Sequence, residues 1–280
     1  MGKRRIVVIG AGDVGSTITY ALMLKELAEE IVLLDINDEK AAAEVADIRH
    51  GLAGISSTMV RRGSYADCTD ADLIVITAGM HRIPSQTRMD LLYANQKIMS
   101  SITAALNKET IRCPVVVVSN PVDPLVDLCA AQLALPKTMV FGTGCTLDSS
   151  RLVAQIAAYT GTVPEDVCGF VIGEHGEGQS VLWESVTVKG MAVADYCAQQ
   201  GFAWTEEIRA EIAERVKGMG AKIIRGKGRT HYGIASCLCV LAKAILHGEE
   251  ALLSVSKVFH ENGKATSSPM TVGKGGIVLR

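Results

Sequence analysis

The stretch Ile6–Gly15, IVVIGAGDVG, runs a short apolar strand straight into Gly10, Ala11, Gly12, Asp13, Val14 and Gly15, a G-x-G-x-x-G spacing that opens a helix. The first glycine permits a tight strand-to-helix turn, the second leaves room for a pyrophosphate against the backbone, and the third lets the helix pack closely on the strand. Phosphates would then meet free N–H groups at the positive end of the helix dipole. After a helix expected over 16–27, a second apolar run, Ile31–Leu34, ends in Asp35. That acid lies twenty residues beyond Gly15, the spacing that places a carboxylate at the end of the second strand to bind an adenosine ribose. Ile36 and Asn37 follow, with no arginine to receive a 2′-phosphate, so NAD is expected as the cofactor rather than NADP.

Outward from this segment, strand and helix patterns alternate. Strands are expected at 5–10, 31–35, 73–77, 115–119 and 139–142, and helices at 16–27, 38–49, 90–107 and 124–133. The runs LIVI and VVVV lack polar alternation, as strands buried on both faces do. Strands separated by helices give a right-handed, doubly wound parallel sheet, an α/β Rossmann domain over residues 1–142. Ligands bind such a sheet beyond the carboxyl ends of its strands, where the glycine loop, Thr77-Ala78-Gly79 and Ser119-Asn120-Pro121 fall. Residues 143–280 change character and are expected to form an α+β substrate domain. Its pattern is a helix over 147–159 closed by Gly161, strand-like runs at 167–173 and 181–194, and a long helix capped by Thr205. The helix carries an apolar stripe at Ile208, Ile212, Val216, Met219 and Ile223. Gly226–Gly228 breaks it before a second helix through Leu246, and a strand-like run at 252–259 leads into a Gly/Ser/Lys-rich end.

The composition narrows the function classes. Hydrophobic residues are 48% and charged residues 21% of 280, the balance of a soluble globular protein, and aromatic residues are only 4%, so the core is aliphatic. A net charge of −2 with no long basic run argues against nucleic acid and anionic membrane as partners. The eight cysteines are scattered with no C-x-x-C pair and read as free, mostly buried thiols of a reducing compartment; the lone Cys237/Cys239 spacing does not make a metal site. With no secretory h-region and no apolar run of membrane-spanning length, the expected location is the cytoplasm.

Four further stretches, AGMHRIPSQTR (78–88), SNPVD (119–123), LDSSR (147–151) and GEHGE (173–177), occur in the order and near the spacing of one family behind its nucleotide signature. The chain from Ile6 to at least Leu246 resembles the L-lactate/malate dehydrogenases. The resemblance implies an NAD-dependent enzyme interconverting an (S)-2-hydroxy acid and its 2-oxo acid, as a homo-oligomer without a metal. It assigns His175 as the residue that passes the hydroxyl proton, a task suited to an imidazole titrating near neutrality. Asp148 would accept a hydrogen bond from His175 and favour the imidazolium, although a Leu-Asp-Ser sequence also suits a helix cap. Arg151, one turn on, would grip the substrate's C1 carboxylate. Arg88 would stabilise charge on the substrate oxygen from a mobile loop. Asn120 would bond substrate oxygen or the nicotinamide side, while Thr77, Ala78, Gly79, Asn95 and Ser119 would join Gly10, Gly12, Asp13, Val14, Gly15 and Asp35 around the dinucleotide.

Substrate choice turns on Arg82. In the family that loop position is glutamine for lactate and arginine for malate, because a second carboxylate in a closed site needs a cation. Arg82 therefore favours malate/oxaloacetate, whereas Thr230, in GRTHYGIA, is the residue associated with lactate enzymes; the expectation is malate dehydrogenase, with L-lactate dehydrogenase as the alternative. Two departures stand out. Val153 and Cys168 occupy positions where lactate enzymes activated by fructose bisphosphate carry arginine and histidine, and the family usually continues past the equivalent of Gly276 into another long helix. Two rival readings remain: a non-catalytic NAD-binding protein would not need Asp148, Arg151 and His175 together, and NAD-dependent glycosidases share the fold but use a metal ion.

Overall fold

Strand β1 (Arg5–Ile9) shows why the first half folds as it does: Ile6 and Val8 enter one apolar cluster, Val7 and Ile9 the opposite one, and none is more than 2% exposed. A strand walled on both faces needs helices on both sides, which is the doubly wound arrangement. The computed structural model describes residues 3–51, 54–80, 87–259 and 263–279, with the side chain of Arg88 outside that set.

After β1 come α1 (Asp13–Leu24), β2 (Glu30–Leu34), α2 (Asp38–His50), β3 (Met59–Arg62), β4 (Leu73–Ile76), α3 (Arg88–Leu106), β5 (Val115–Val117), α4 (Val122–Gln132) and β6 (Val140–Gly142). The strands lie in the order β3-β2-β1-β4-β5-β6, every neighbouring pair parallel. The order reverses at β1, so a crevice opens beyond the carboxyl ends of β1 and β4, where the glycine loop and Thr77–Gly79 emerge. β3 has no counterpart in the sequence reading: it is a four-residue edge strand, MVRR, with one buried residue, and Arg61 on it pairs with Glu30 and Asp67. Helix α3 begins at Arg88, two residues earlier than expected, because Thr87 and Asp90 form a capping box.

The second half adds α5 (Thr146–Thr160), β7 (Val167–Gly173), β8 (Gln179–Val188), β9 (Met191–Ala192), α6 (Val193–Gln200), α7 (Glu206–Lys227), α8 (Tyr232–His247), β10 (Ala251–Val258), β11 (Ala265–Gly273) and β12 (Gly276–Ile277). The expected run at 181–194 thus divides into a strand, a turn at Lys189–Gly190, the two-residue strand β9 and the start of a helix, and the Gly/Ser/Lys-rich end contains a nine-residue strand. β10 attaches antiparallel to β6 through Ser256 opposite Gly142, and β11, β7, β8 and β9 continue the sheet. α8 does not stay with its own half. Leu238, Leu241 and Ile245 share one apolar cluster with Ile18 and Leu22 of α1. The stripe on α7 is fully buried only at Ile212 and Val216; Met219 and Ile223 are half-buried where the helix leaves the core to wall a cavity.

Candidate active site

The glycine loop is built by close approach. A Cβ on Gly15 would stand 1.8 Å from the Gly10 carbonyl oxygen, and Gly10 itself, at φ +112°, lies so near β4 that its Cβ would meet the Ala78 nitrogen at 2.6 Å. Gly12 differs: a Cβ there would point into open space. No side chain caps the N-terminus of α1, so its first turn faces this space with the dipole's positive end. Asp35 sits beyond β2, its carboxylate oxygens accepting the N–H groups of Ala11 (2.6 Å) and Asn37 (2.9 Å), beside a fully exposed Ile36. An open cradle at Gly12, an uncapped helix and an acid next to exposed apolar surface fit the diphosphate, ribose and adenine of a dinucleotide.

The remaining residues expected around the dinucleotide converge here. The Thr77 hydroxyl donates to the carbonyl of Gly10 (2.9 Å), and Ser119 Oγ donates to the carbonyl of Ala78 (2.7 Å). Asn95, buried in α3, accepts from the Met80 N–H (2.7 Å) and donates to the carbonyls of Met80 (3.3 Å) and Asn120 (2.6 Å). Its carboxamide therefore braces the loops after β4 and β5 against each other, with Gly79 packed beside it. Val14 and Asn120 line a cavity of about 320 Å³ that also receives His175, Asp148, Arg151 and Thr230.

His175 lies in the tight connection between β7 and β8, and its backbone N–H donates to Asp123 Oδ2 of α4 (2.8 Å). Its Nδ1 is 2.6 Å from Asp148 Oδ2, while Arg151 Nη1 donates to Asp148 Oδ1 at 2.7 Å. Asp148 is in the first turn of α5 yet makes no cap: one oxygen serves Arg151, three residues and nearly one helical turn away, and the other serves His175, which the β7–β8 connection brings to it. Burial opposes charge on both members of the His175–Asp148 pair, but the contact wins. The Asp148 pKa is held below the carboxylate range by His175 and Arg151, and the His175 pKa is raised above the usual imidazole value by Asp148, with Asp123 adding. Asp148 therefore accepts, Nδ1 carries a proton, and Nε2 remains for proton exchange.

Asp123, which holds the backbone of His175, is a residue of this site that sequence reading missed. It is buried, its other oxygen accepts from Ser256 Oγ of β10 at 2.5 Å, and burial raises its pKa. The only local signal was an acid in the first turn of an apolar helix, inside the SNPVD stretch. Cys145, Asp148 and His175 place potential metal donors within 4.8 Å of one another. The thiol is pushed up to about 12 by burial and both Asp148 oxygens are engaged, one by a guanidinium, a donor set poorly disposed to a cation. Arg88 opens α3; its side chain, and all of Arg82 and His81, lie outside the described residues.

Family models described as lactate/malate dehydrogenase, NAD binding domain, and lactate/malate dehydrogenase, alpha/beta C-terminal domain, match residues 4–142 and 145–279. The L-lactate dehydrogenase of Deinococcus radiodurans is 37% identical over 98% of this chain and 90% of its own length, and that of Chloroherpeton thalassium 36% identical with the same coverages. Among solved structures, the minor L-lactate dehydrogenase from Enterococcus mundtii superposes with a TM-score of 0.94 at 35% identity, covering 99% of this chain and 90% of that one.

Proposed function

The chain belongs to the lactate/malate dehydrogenase family and is an NAD-dependent 2-hydroxy acid dehydrogenase, and from that premise we propose that its substrate pair is (S)-lactate and pyruvate, with His175 exchanging the hydroxyl proton. The carrying observation is that His175, Arg151 and Thr230 line one cavity next to Val14 of the glycine loop. The names of the relatives support lactate over malate. Arg82 keeps malate/oxaloacetate as the second reading, since a guanidinium is the group a distal carboxylate needs.

When bound, NAD supplies the ring carbon that takes or gives a hydride. Gly10, Gly12, Asp13, Val14 and Gly15 are assigned to its diphosphate side, Asp35 to the ribose, and Thr77–Gly79, Ser119 and Asn120 to the groups between. Asn95 acts by bracing those loops. In the reducing direction, His175 Nε2 donates a proton to the carbonyl oxygen while Asp148 holds Nδ1 and offsets the imidazolium charge. In the oxidising direction the same nitrogen takes the hydroxyl proton. Arg151 presents its remaining N–H groups to the C1 carboxylate, and Arg88 is assigned to the charge developing on the oxygen. Two lobes, 1–142 and 143–280, a homo-oligomeric state and a cytoplasmic location belong to the same reading, the last supported by eight free thiols. Among the described residues, no helix is long and apolar enough to cross a membrane.

The decisive measurement is NADH oxidation by the purified chain with pyruvate and oxaloacetate side by side. A higher kcat/KM for pyruvate is expected; a higher value for oxaloacetate, falling steeply in Arg82→Gln, overturns the lactate reading in favour of malate.

A further inference from the structure

Thr230 stands in the short connection between α7 and α8, and both of its neighbours reach across to the first turns of α1. The Arg229 guanidinium pairs with the Asp13 carboxylate. On the other side, His231 Nδ1 lies 3.0 Å from Thr17 Oγ1, whose own proton goes to the Asp13 carbonyl at 2.6 Å. That fixes every proton in the chain of contacts: Thr17 Oγ1 must accept, so Nδ1 of His231 donates. His231 Nε2 is then the acceptor for Lys227 Nζ at 3.2 Å, and the Lys227 ammonium also lies 3.9 Å from the centre of the Tyr232 ring. The relay requires a neutral imidazole. Burial, Lys227 and Arg229 hold the His231 pKa below its usual value against the opposing Asp13.

We propose that Arg229 and His231 are positioning residues that strap the α7–α8 connection to α1 and thereby set Thr230 against Val14, so that the wall meeting the substrate side chain is held by the dinucleotide loop itself. Three features point this way. Thr230, between Arg229 and His231, and Val14, next to Asp13, both line the cavity. The connection begins at Gly228, in a positive-φ conformation, and α8 starts without a side-chain cap, so the restraint from its own helices comes through Lys227, which meets His231 and the Tyr232 ring. The two bridges also end one turn apart on α1, at Asp13 and Thr17, which resists rotation as well as translation of the segment between them. The inference rests on the reading of this cavity as the 2-oxo acid site and adds what holds its side-chain wall.

The test uses the full chain at saturating NADH, with Arg229→Gln, Asp13→Asn, the double variant and His231→Phe. Measured for each are kcat, KM for pyruvate, NADH affinity, thermal midpoint and the kcat/KM ratio of 2-oxobutyrate to pyruvate. The Arg229–Asp13 pair is solvent-accessible, so breaking it from the Arg229 side is expected to raise KM about two- to fivefold while kcat holds; Asp13→Asn, at a residue assigned to the dinucleotide, serves only to complete the cycle with Arg229→Gln, its NADH affinity measured alongside. The 2-oxobutyrate ratio should rise as Thr230 loosens. Because Arg229 acts through Asp13, the double variant should be no worse than the poorer single one. Unchanged KM and substrate ratio in Arg229→Gln and His231→Phe, with or without a lower thermal midpoint, would reduce both residues to ordinary stability contacts, and additive losses in the double variant would disconnect Arg229 from Asp13. If the unaltered chain reduces oxaloacetate and not pyruvate, the same series is run with oxaloacetate. A chain that reduces neither refutes the site assignment and this inference with it.

Discussion

Replacing Asp148 by Asn keeps the shape of the side chain and removes its charge, at a position only 1% exposed and hydrogen-bonded to His175 at 2.6 Å and Arg151 at 2.7 Å. Two unit charges about 4 Å apart attract by about 4 kcal/mol at an effective dielectric constant of about 20. Asp148 shares its charge between two cations, so about 2–4 kcal/mol of support for the imidazolium is at stake, or about thirty- to a thousandfold in kcat/KM at neutral pH. The sign with pH follows from the direction of the shift. Asp148 raises the His175 pKa, so the protonated form needed to reduce pyruvate persists as pH rises and is lost through that raised value. In Asp148→Asn the alkaline limb of pyruvate reduction should move to lower pH, and the acid limb of lactate oxidation, which needs neutral His175, should move to lower pH with it. The assay is a pH series of kcat/KM in both directions, with NADH binding and thermal midpoint confirming a folded protein. A variant within about threefold of the unaltered chain, with its alkaline limb unmoved, would refute the role given to Asp148.

The glycine loop offers a paired contrast: Gly12→Ala should fold with an undiminished thermal midpoint and lose about tenfold or more in NADH affinity, since its methyl enters the open cradle, whereas Gly15→Ala should destabilise the fold because its methyl meets the Gly10 carbonyl. Thermal melts and fluorescence titration separate the two. His175→Ala should keep NADH affinity and lose about 10²–10⁴-fold in turnover, and loss of NADH binding in the folded variant would make His175 structural. NADH should bind more tightly than NADPH, because Asp35 repels a 2′-phosphate; equal affinities would remove that assignment. Fructose bisphosphate should leave activity unchanged, given Val153 and an exposed Cys168 where a phosphate site would need cations, and a several-fold activation in a steady-state assay would count against it.

What was legible in the sequence follows from how local each signal is. β1, β2, β4 and β5 announce themselves because strands walled by helices on both faces must be apolar at consecutive positions. β3 hides because an edge strand can afford two arginines, and β11, ATSSPMTVG, because its polar residues are set by antiparallel partners on β10. α6 is eight residues long and follows directly from a two-residue strand, too short for a helical period to emerge. In the site, Asp148 and Arg151 share one turn of one helix and can be read together, and His175 is marked by its flanking glycines. Asp123 cannot be read, since it works by receiving the backbone N–H of a residue 52 positions away, a relation that only folding creates.

The shared cluster of α1 and α8 has a mechanical meaning. α1 carries the glycine loop at its N-terminus and α8 starts two residues after Thr230, and their contact is made by fully buried Ile18, Leu22, Leu238 and Leu241. Parting these helices would uncover aliphatic surface at about 25 cal/mol per Å². The position of the α7–α8 connection relative to the dinucleotide loop therefore rests on an apolar contact, and moving one without the other carries the cost of exposing it.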